Sequence, residues 1–144
     1  MKIKFKIITP EREIFSEEAE QITMMTRDGE ITILPGHIPL ITVLQPGELR
    51  YKKDGEEKFL AVSGGFAEMR PDNTLVILAD TAEYAEHIDI ERAEAARERA
   101  AKAMKETRNV EGIDYAALQA QLERAVNRVK IAKKYRKLPP MANR

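Results

Sequence analysis

Residues 48–62 read ELRYKKDGEEKFLAV, and this stretch decides the fold of the first half of the chain. Leu49 and Tyr51 alternate with Glu48, Arg50 and Lys52, so residues 48–52 present one apolar and one polar face, as a strand does. Residues 58–62 form a second strand-like run, and Asp54-Gly55 stands between the two. A two-residue type I′ turn needs positive φ at both central positions, which aspartate followed by glycine tolerates. The spacing predicts a β-hairpin.

Working outward, the same period of two recurs. Ile3, Phe5 and Ile7 face one way and Lys2, Lys4 and Lys6 the other, so residues 2–8 read as a half-buried strand. Further runs are 21–26, 30–34, 65–70 and 74–79. Turn signals separate them: Arg27-Asp28-Gly29, Leu34-Pro35-Gly36, Pro46-Gly47, Ser63-Gly64-Gly65 and Pro71-Asp72-Asn73. Many short strands with no helical pattern between them predict an antiparallel β-sandwich or barrel over residues 1–87.

After residue 87 the period changes. Ile90, Ala93, Ala96, Ala100, Ala103 and Met104 recur at helical spacing, and the stripe is mostly alanine. Residues 107–114 contain Gly112 and break the helix, and Asp114 is placed to cap a second one. That second stripe is Tyr115, Leu118, Leu122, Ala125, Val126, Val129 and Ala132, ended by Pro139-Pro140. Two helices joined by a short loop make an antiparallel hairpin over residues 88–144. The fold class is therefore α+β, an amino-terminal antiparallel β-sandwich followed by a carboxy-terminal antiparallel α-helical hairpin. An alanine seam buries little area against the backbone entropy of ordering, which makes the hairpin the weaker part of the chain.

Composition narrows the chemistry. Among 144 residues there is no cysteine, which excludes disulfides, thiolate metal sites and cysteine nucleophiles, and no apolar run is long enough to span a bilayer. The lysines at positions 2, 4 and 6 interrupt the place where a signal peptide carries its apolar core, so a soluble protein of a reducing cytosol is expected. The two histidines, His37 and His87, have no metal-ligand spacing, and neither a phosphate loop nor a dinucleotide fingerprint is present. Ser63-Gly64-Gly65 reads as a turn or bulge requiring positive φ rather than a nucleophile turn. An independent enzyme is not expected.

The formal net charge is zero, but it divides unevenly. Residues 1–88 carry 16 acids and 10 bases, and residues 89–122 carry 7 acids and 6 bases. Residues 123–144 set Glu123 against eight bases: Arg124, Arg128, Lys130, Lys133, Lys134, Arg136, Lys137 and Arg144. A basic end on an acidic body suits an anionic partner, whether protein, phosphate or nucleic acid. At the junction, Asp89 and Arg92 are three apart and share a helix face, while Arg124 and Arg128 share a face of the second helix. One reading of Asp89 is an N-cap with a local ion pair. The alternative is that a folded-back hairpin gathers three guanidiniums for a polyphosphate, with Asp89 and Glu83 as acceptors for an exocyclic amine.

Three segments then make the chain recognisable: residues 29–40 (GEITILPGHIPL), residues 63–68 (SGGFAE) and residues 88–93 (IDIERA). Together, and in this order, they resemble the ε subunits of bacterial F-type ATP synthases over essentially the whole chain, with Thr32 where many members carry glycine. The resemblance implies a non-catalytic rotor subunit, peripheral on the cytoplasmic face of the cell membrane, bound to the γ subunit and resting on the c-ring. It implies that loops matching Glu30 and His37 lie toward the c-ring. It further implies that the hairpin extends along γ toward the α/β catalytic head and blocks ATP hydrolysis, the basic segment after Glu123 meeting an acidic segment of β. The third segment matches the I/L-D-x-x-R-A motif of members that bind ATP as a regulatory ligand. There, positions matching Glu83, Ile88, Asp89 and Ala93 hold the adenine end and those matching Arg92, Arg124 and Arg128 the phosphates. Two alternatives stand beside this reading. One is an ε subunit whose inhibition ignores ATP. The other is a β-sandwich adaptor whose basic tail binds nucleic acid, although Tyr135 alone makes no stacking platform there.

Overall fold

The computed structural model describes residues 1–108 and 110–136, with the side chains of Ile14, Phe15 and Arg136 left aside. The Pro139-Pro140 stop and the tail cations Lys137 and Arg144 lie outside the described residues. Contacts divide the chain into two compact units, Met1–Tyr84 and a second that begins at Ala85.

The first unit holds eight strands: β1 (Ile3–Ile8), β2 (Glu13–Ala19), β3 (Gln21–Thr26), β4 (Gly29–Ile33), β5 (Leu40–Leu44), β6 (Gly47–Lys53), β7 (Glu56–Met69) and β8 (Thr74–Tyr84). The hairpin at the outset is β6–β7, with Lys53 opposite Glu56 and the turn residues Asp54 and Gly55 at φ of 51° and 81°. Hydrogen bonding runs β2-β1-β8-β7-β5-β3-β4, and β6 bridges β3 and β7. β7 makes this a sandwich, because it changes partner midway: residues 56–62 pair with β6 and residues 65–69 with β5, while β8 follows both halves.

The change of partner falls at Ser63-Gly64-Gly65, which sequence reading takes as a break between two strands and which the structure places inside one. Gly65 sits at φ 142°, and a Cβ built there would lie 1.9 Å from the Leu78 carbonyl oxygen. Positive φ is thus present, but it lets β7 lie close against β8 rather than end it. Three further differences from the sequence reading appear. β2 and β5 are additional strands, and β8 runs on to Tyr84. One pair, β1–β8, is parallel, with Lys4 opposite Thr74 and Ile8 opposite Leu78, so the sandwich is antiparallel everywhere else but not there. Parallel pairing of strands some 70 residues apart is fixed by the long connection between them, not by any local signal.

Inward residues follow the period of two. Ile3, Phe5 and Ile7 join Ile22, Met24, Leu49, Leu60, Leu75 and Ile77 in one buried cluster. Phe5 packs edge-on against Tyr51, with ring centroids 5.0 Å apart. The Tyr51 hydroxyl shares a 3.0 Å hydrogen bond with that of Tyr84, which satisfies two polar groups at the core margin.

The second unit opens with a 3₁₀ turn, Ala85–His87, followed by α1 (Ile90–Glu106) and α2 (Tyr115–Arg136). On α1, Ala93 and Ala100 are buried; on α2, Ala125, Val129, Ile131 and Ala132 are. Val126, expected on the seam, is 44% exposed, and Ile131 takes its place. Burial on α2 concentrates toward its end because those turns belong to a unit in which α2 packs on both α1 and the 3₁₀ turn.

Candidate functional site

Within the second unit, Ile88 and Ala93 are fully buried and bracket the start of α1. Between them Asp89 adopts an extended backbone, and its Oδ1 accepts from the Arg92 N–H at 3.1 Å, closing the first turn as an N-cap. This leaves the other carboxylate oxygen of an exposed residue available, and puts the Arg92 side chain on the exposed surface one turn along. Asp114 repeats the device on α2, its Oδ1 accepting from Ala117 N–H at 3.1 Å.

Arg124 and Arg128 are half-buried on α2, one turn apart, beside the buried Ala125 and Val129. The antiparallel helices are tied by an ion pair, Lys133 Nζ to Glu94 at 2.8 Å. That hydrogen bond holds the Glu94 carboxyl below its ordinary value. The pair also sets the level of the arginines. Arg92 precedes Glu94 by two residues, while Arg128 and Arg124 precede Lys133 by five and nine, about 7.5 and 13.5 Å along the axis at 1.5 Å per residue. Along the hairpin axis the backbone of Arg92 therefore lies on one side of the Glu94–Lys133 level and those of Arg128 and Arg124 on the other. As chemistry the set suits a polyanion, since guanidinium forks pair with anionic oxygens and a carboxylate accepts from an amine. Ile88 and Ala93 have no exposed surface. Glu83, the seventh residue, lies in β8 of the first unit, opposite Ala61.

Glu30 stands in β4, not in a loop, and Arg50 donates to it at 3.3 Å. His37 lies beyond the other end of that strand, its Nδ1 2.7 Å from the Ile38 carbonyl oxygen. The His37 loop is pinned by Asn73, whose Oδ1 accepts from Gly36 N–H at 2.9 Å while its Nδ2 donates to the Lys2 carbonyl at 2.8 Å. Ile38 is 74% exposed in this loop.

Sequence reading missed one surface. On the outward face of the first unit, Val43, Phe66, Leu78 and Ile8 form a row across β5, β7, β8 and β1, each opposite the next. Phe66 and Leu78 are 54% and 50% exposed, and Ile41, two residues before Val43, is 71% exposed. A contiguous apolar row of this kind on a strand face marks a surface made for a partner. The signal was present: residues 75–79 are apolar without alternation, the pattern of a strand covered on both faces.

Comparison with known proteins gives a consistent result. Residues 2–85 match the family described as ATP synthase, Delta/Epsilon chain, beta-sandwich domain, and residues 86–133 match its long alpha-helix domain. The chain is 49% identical over 138 residues to the ATP synthase epsilon chain of Dehalococcoides mccartyi, covering 96% of this chain and 97% of that one. It is 47% identical to that of Herpetosiphon aurantiacus over 133 residues, or 92% and 96% of the two chains. A chain in the cryo-electron microscopy structure of the Euglena gracilis mitochondrial ATP synthase, OSCP/F1/c-ring, shares the fold. Its TM-score is 0.70 at 24% identity, with 92% of this chain and 81% of that chain covered.

Proposed function

Because the chain belongs to the delta/epsilon chain family of ATP synthases, as an epsilon chain, we propose that it is a rotor subunit of the central stalk. In this reading it is tied to γ and the c-ring, and its hairpin restrains ATP hydrolysis unless ATP holds that hairpin closed. As an epsilon chain it is a non-catalytic subunit, so ATP acts here as a ligand and not a substrate. The chain is held peripherally on the cytoplasmic face of the membrane by its partners; no helix among the described residues is long and apolar enough to cross.

The observation that carries the regulatory reading is the hairpin itself. Its seam on α1 is alanine, yet it carries Asp89 and three arginines on the unit that has least core. A weakly held element that carries these guanidiniums is one that a nucleotide can bias. A ligand that binds only the closed hairpin stabilises it by RT ln(1 + [L]/Kd), about 2.7 kcal/mol at a hundredfold excess over Kd. Support for the rotor reading comes from the apolar row through Phe66 and Leu78, which we assign to γ, and from the exposed His37–Ile38 loop, which we assign to the c-ring.

A second reading, inhibition indifferent to ATP, is favoured by the Asp89 cap, since that carboxylate already has a structural task. Calorimetric titration of the full chain with ATP separates the two, with and without Mg²⁺. Binding by the parent chain that weakens tenfold or more in Arg92→Ala supports the sensor. No heat from the parent chain, or equal binding by parent and variant, removes the sensor and leaves the subunit assignment standing.

A further inference from the structure

Lys2, just before β1, and Lys4 and Lys6 within it are successive outward residues, in a unit where acids outnumber bases. Residues on one face of a strand repeat every two positions, about 6.8 Å apart, so these ammonium groups form a like-charged row. Only Lys2 meets a carboxylate among the described residues, Asp54 at 3.1 Å. Lys4 stands opposite Glu18 on β2 and Thr74 on β8, and Lys6 opposite Ser16 and Val76, with no ion pair to either lysine among the described residues.

Lysines on sheets commonly guard an exposed edge against pairing. That explanation fails here, because β1 lies between β2 and β8 and β2 is the edge strand. Lysine is also a poor strand former, so three in a row at an interior strand are not a local preference. The row continues directly into the apolar one: the next outward residue after Lys6 is Ile8, beside Leu78. An apolar centre with a charged margin is the anatomy of a protein interface.

We infer that the β1 lysine row is the electrostatic margin of the docking face, and that the surface it meets on the partner carries carboxylates placed opposite Lys4 and Lys6. This rests on the reading above that the Phe66–Leu78 face docks γ. Charge complementarity of this kind steers encounter and fixes register more than it adds affinity. The partner is a patterned protein surface and not an anionic bilayer, because Glu18 and Glu68 stand on the same face and a uniformly negative surface would repel them.

The test measures association of the full chain with the γ subunit across salt concentrations. Parent, Lys4→Glu/Lys6→Glu, Lys4→Ala/Lys6→Ala and Phe66→Glu chains are compared, after circular dichroism confirms that each is folded. The expected result is a parent association rate that falls about tenfold between low and high salt, a Lys4→Ala/Lys6→Ala rate that is slow and nearly salt-independent, and a further loss in Lys4→Glu/Lys6→Glu. If Phe66→Glu abolishes binding while both lysine pairs behave as the parent, the lysine margin is wrong and the docking face stands. If Phe66→Glu binds as the parent does, the docking reading itself falls. Binding of the parent to phosphatidylglycerol vesicles that is lost in the lysine variants, with γ association unchanged, overturns the inference in favour of a lipid surface.

Discussion

At the scale of single residues, Gly65 shows most directly how sequence dictates local structure. Its backbone lies where an alanine Cβ would overlap the Leu78 carbonyl, and its φ of 142° is open to glycine alone. Gly65→Ala is expected to destabilise the sandwich by about 3 kcal/mol or more, since strain and overpacking coincide there. Urea unfolding of the full chain measures it, and a loss below about 1 kcal/mol would contradict the close β7–β8 approach. The Tyr115 hydroxyl is sealed from solvent without a hydrogen-bond partner in the described hairpin. Such a group costs about 1–3 kcal/mol, so Tyr115→Phe is expected to strengthen the closed hairpin, seen as slower amide exchange in α1 and α2. Asp89 was legible as a cap from spacing alone, because capping is a local property of four residues. The outward Phe66 and Leu78 were not, because an apolar residue in a strand reads as core until its partner strands are known.

At the scale of elements, the hairpin is held by buried, mostly alanine side chains and by the cross-helix ion pair of Glu94 with Lys133. Lys133 depresses the Glu94 carboxyl, so the pair contributes above the ordinary carboxylate value of 4.5 and is lost as pH falls through the lowered folded value. Amide protection factors in α1 and α2, taken relative to the intrinsic exchange rate at each pH, are therefore expected to fall on acidification below 4.5, and Glu94→Gln should remove part of that fall. An unchanged profile in the variant would dismiss the pair as a tie. The strands were read well where alternation is clean, as in β1, β3 and β6. β5 was missed because its five residues follow Pro39 as a short apolar run, and β2 because Ser16-Glu17-Glu18 blurs its period. The β1–β8 pairing was invisible for a different reason: no local pattern encodes which distant strand a strand will join.

At the scale of the whole molecule, the zero net charge resolves into functions held by different parts. The first unit is acidic overall but carries a basic row beside an apolar face, and the sequence of the second unit ends in a run of cations that follows Arg124 and Arg128. Family membership was legible in three short segments. The level of Arg92 relative to Arg124 and Arg128 along the hairpin was not, because it depends on how the helices register against each other through Glu94 and Lys133. The central claim is that the hairpin is a two-state element whose closed form ATP selects. Amide hydrogen exchange on the full chain, resolved by segment and run with and without saturating ATP, tests it most directly. The account expects α1 and α2 to gain protection about a hundredfold at a hundredfold excess over Kd while β1 to β8 stay unchanged. Equal protection of both helices with and without ATP, in a chain that calorimetry shows to be saturated, would contradict it.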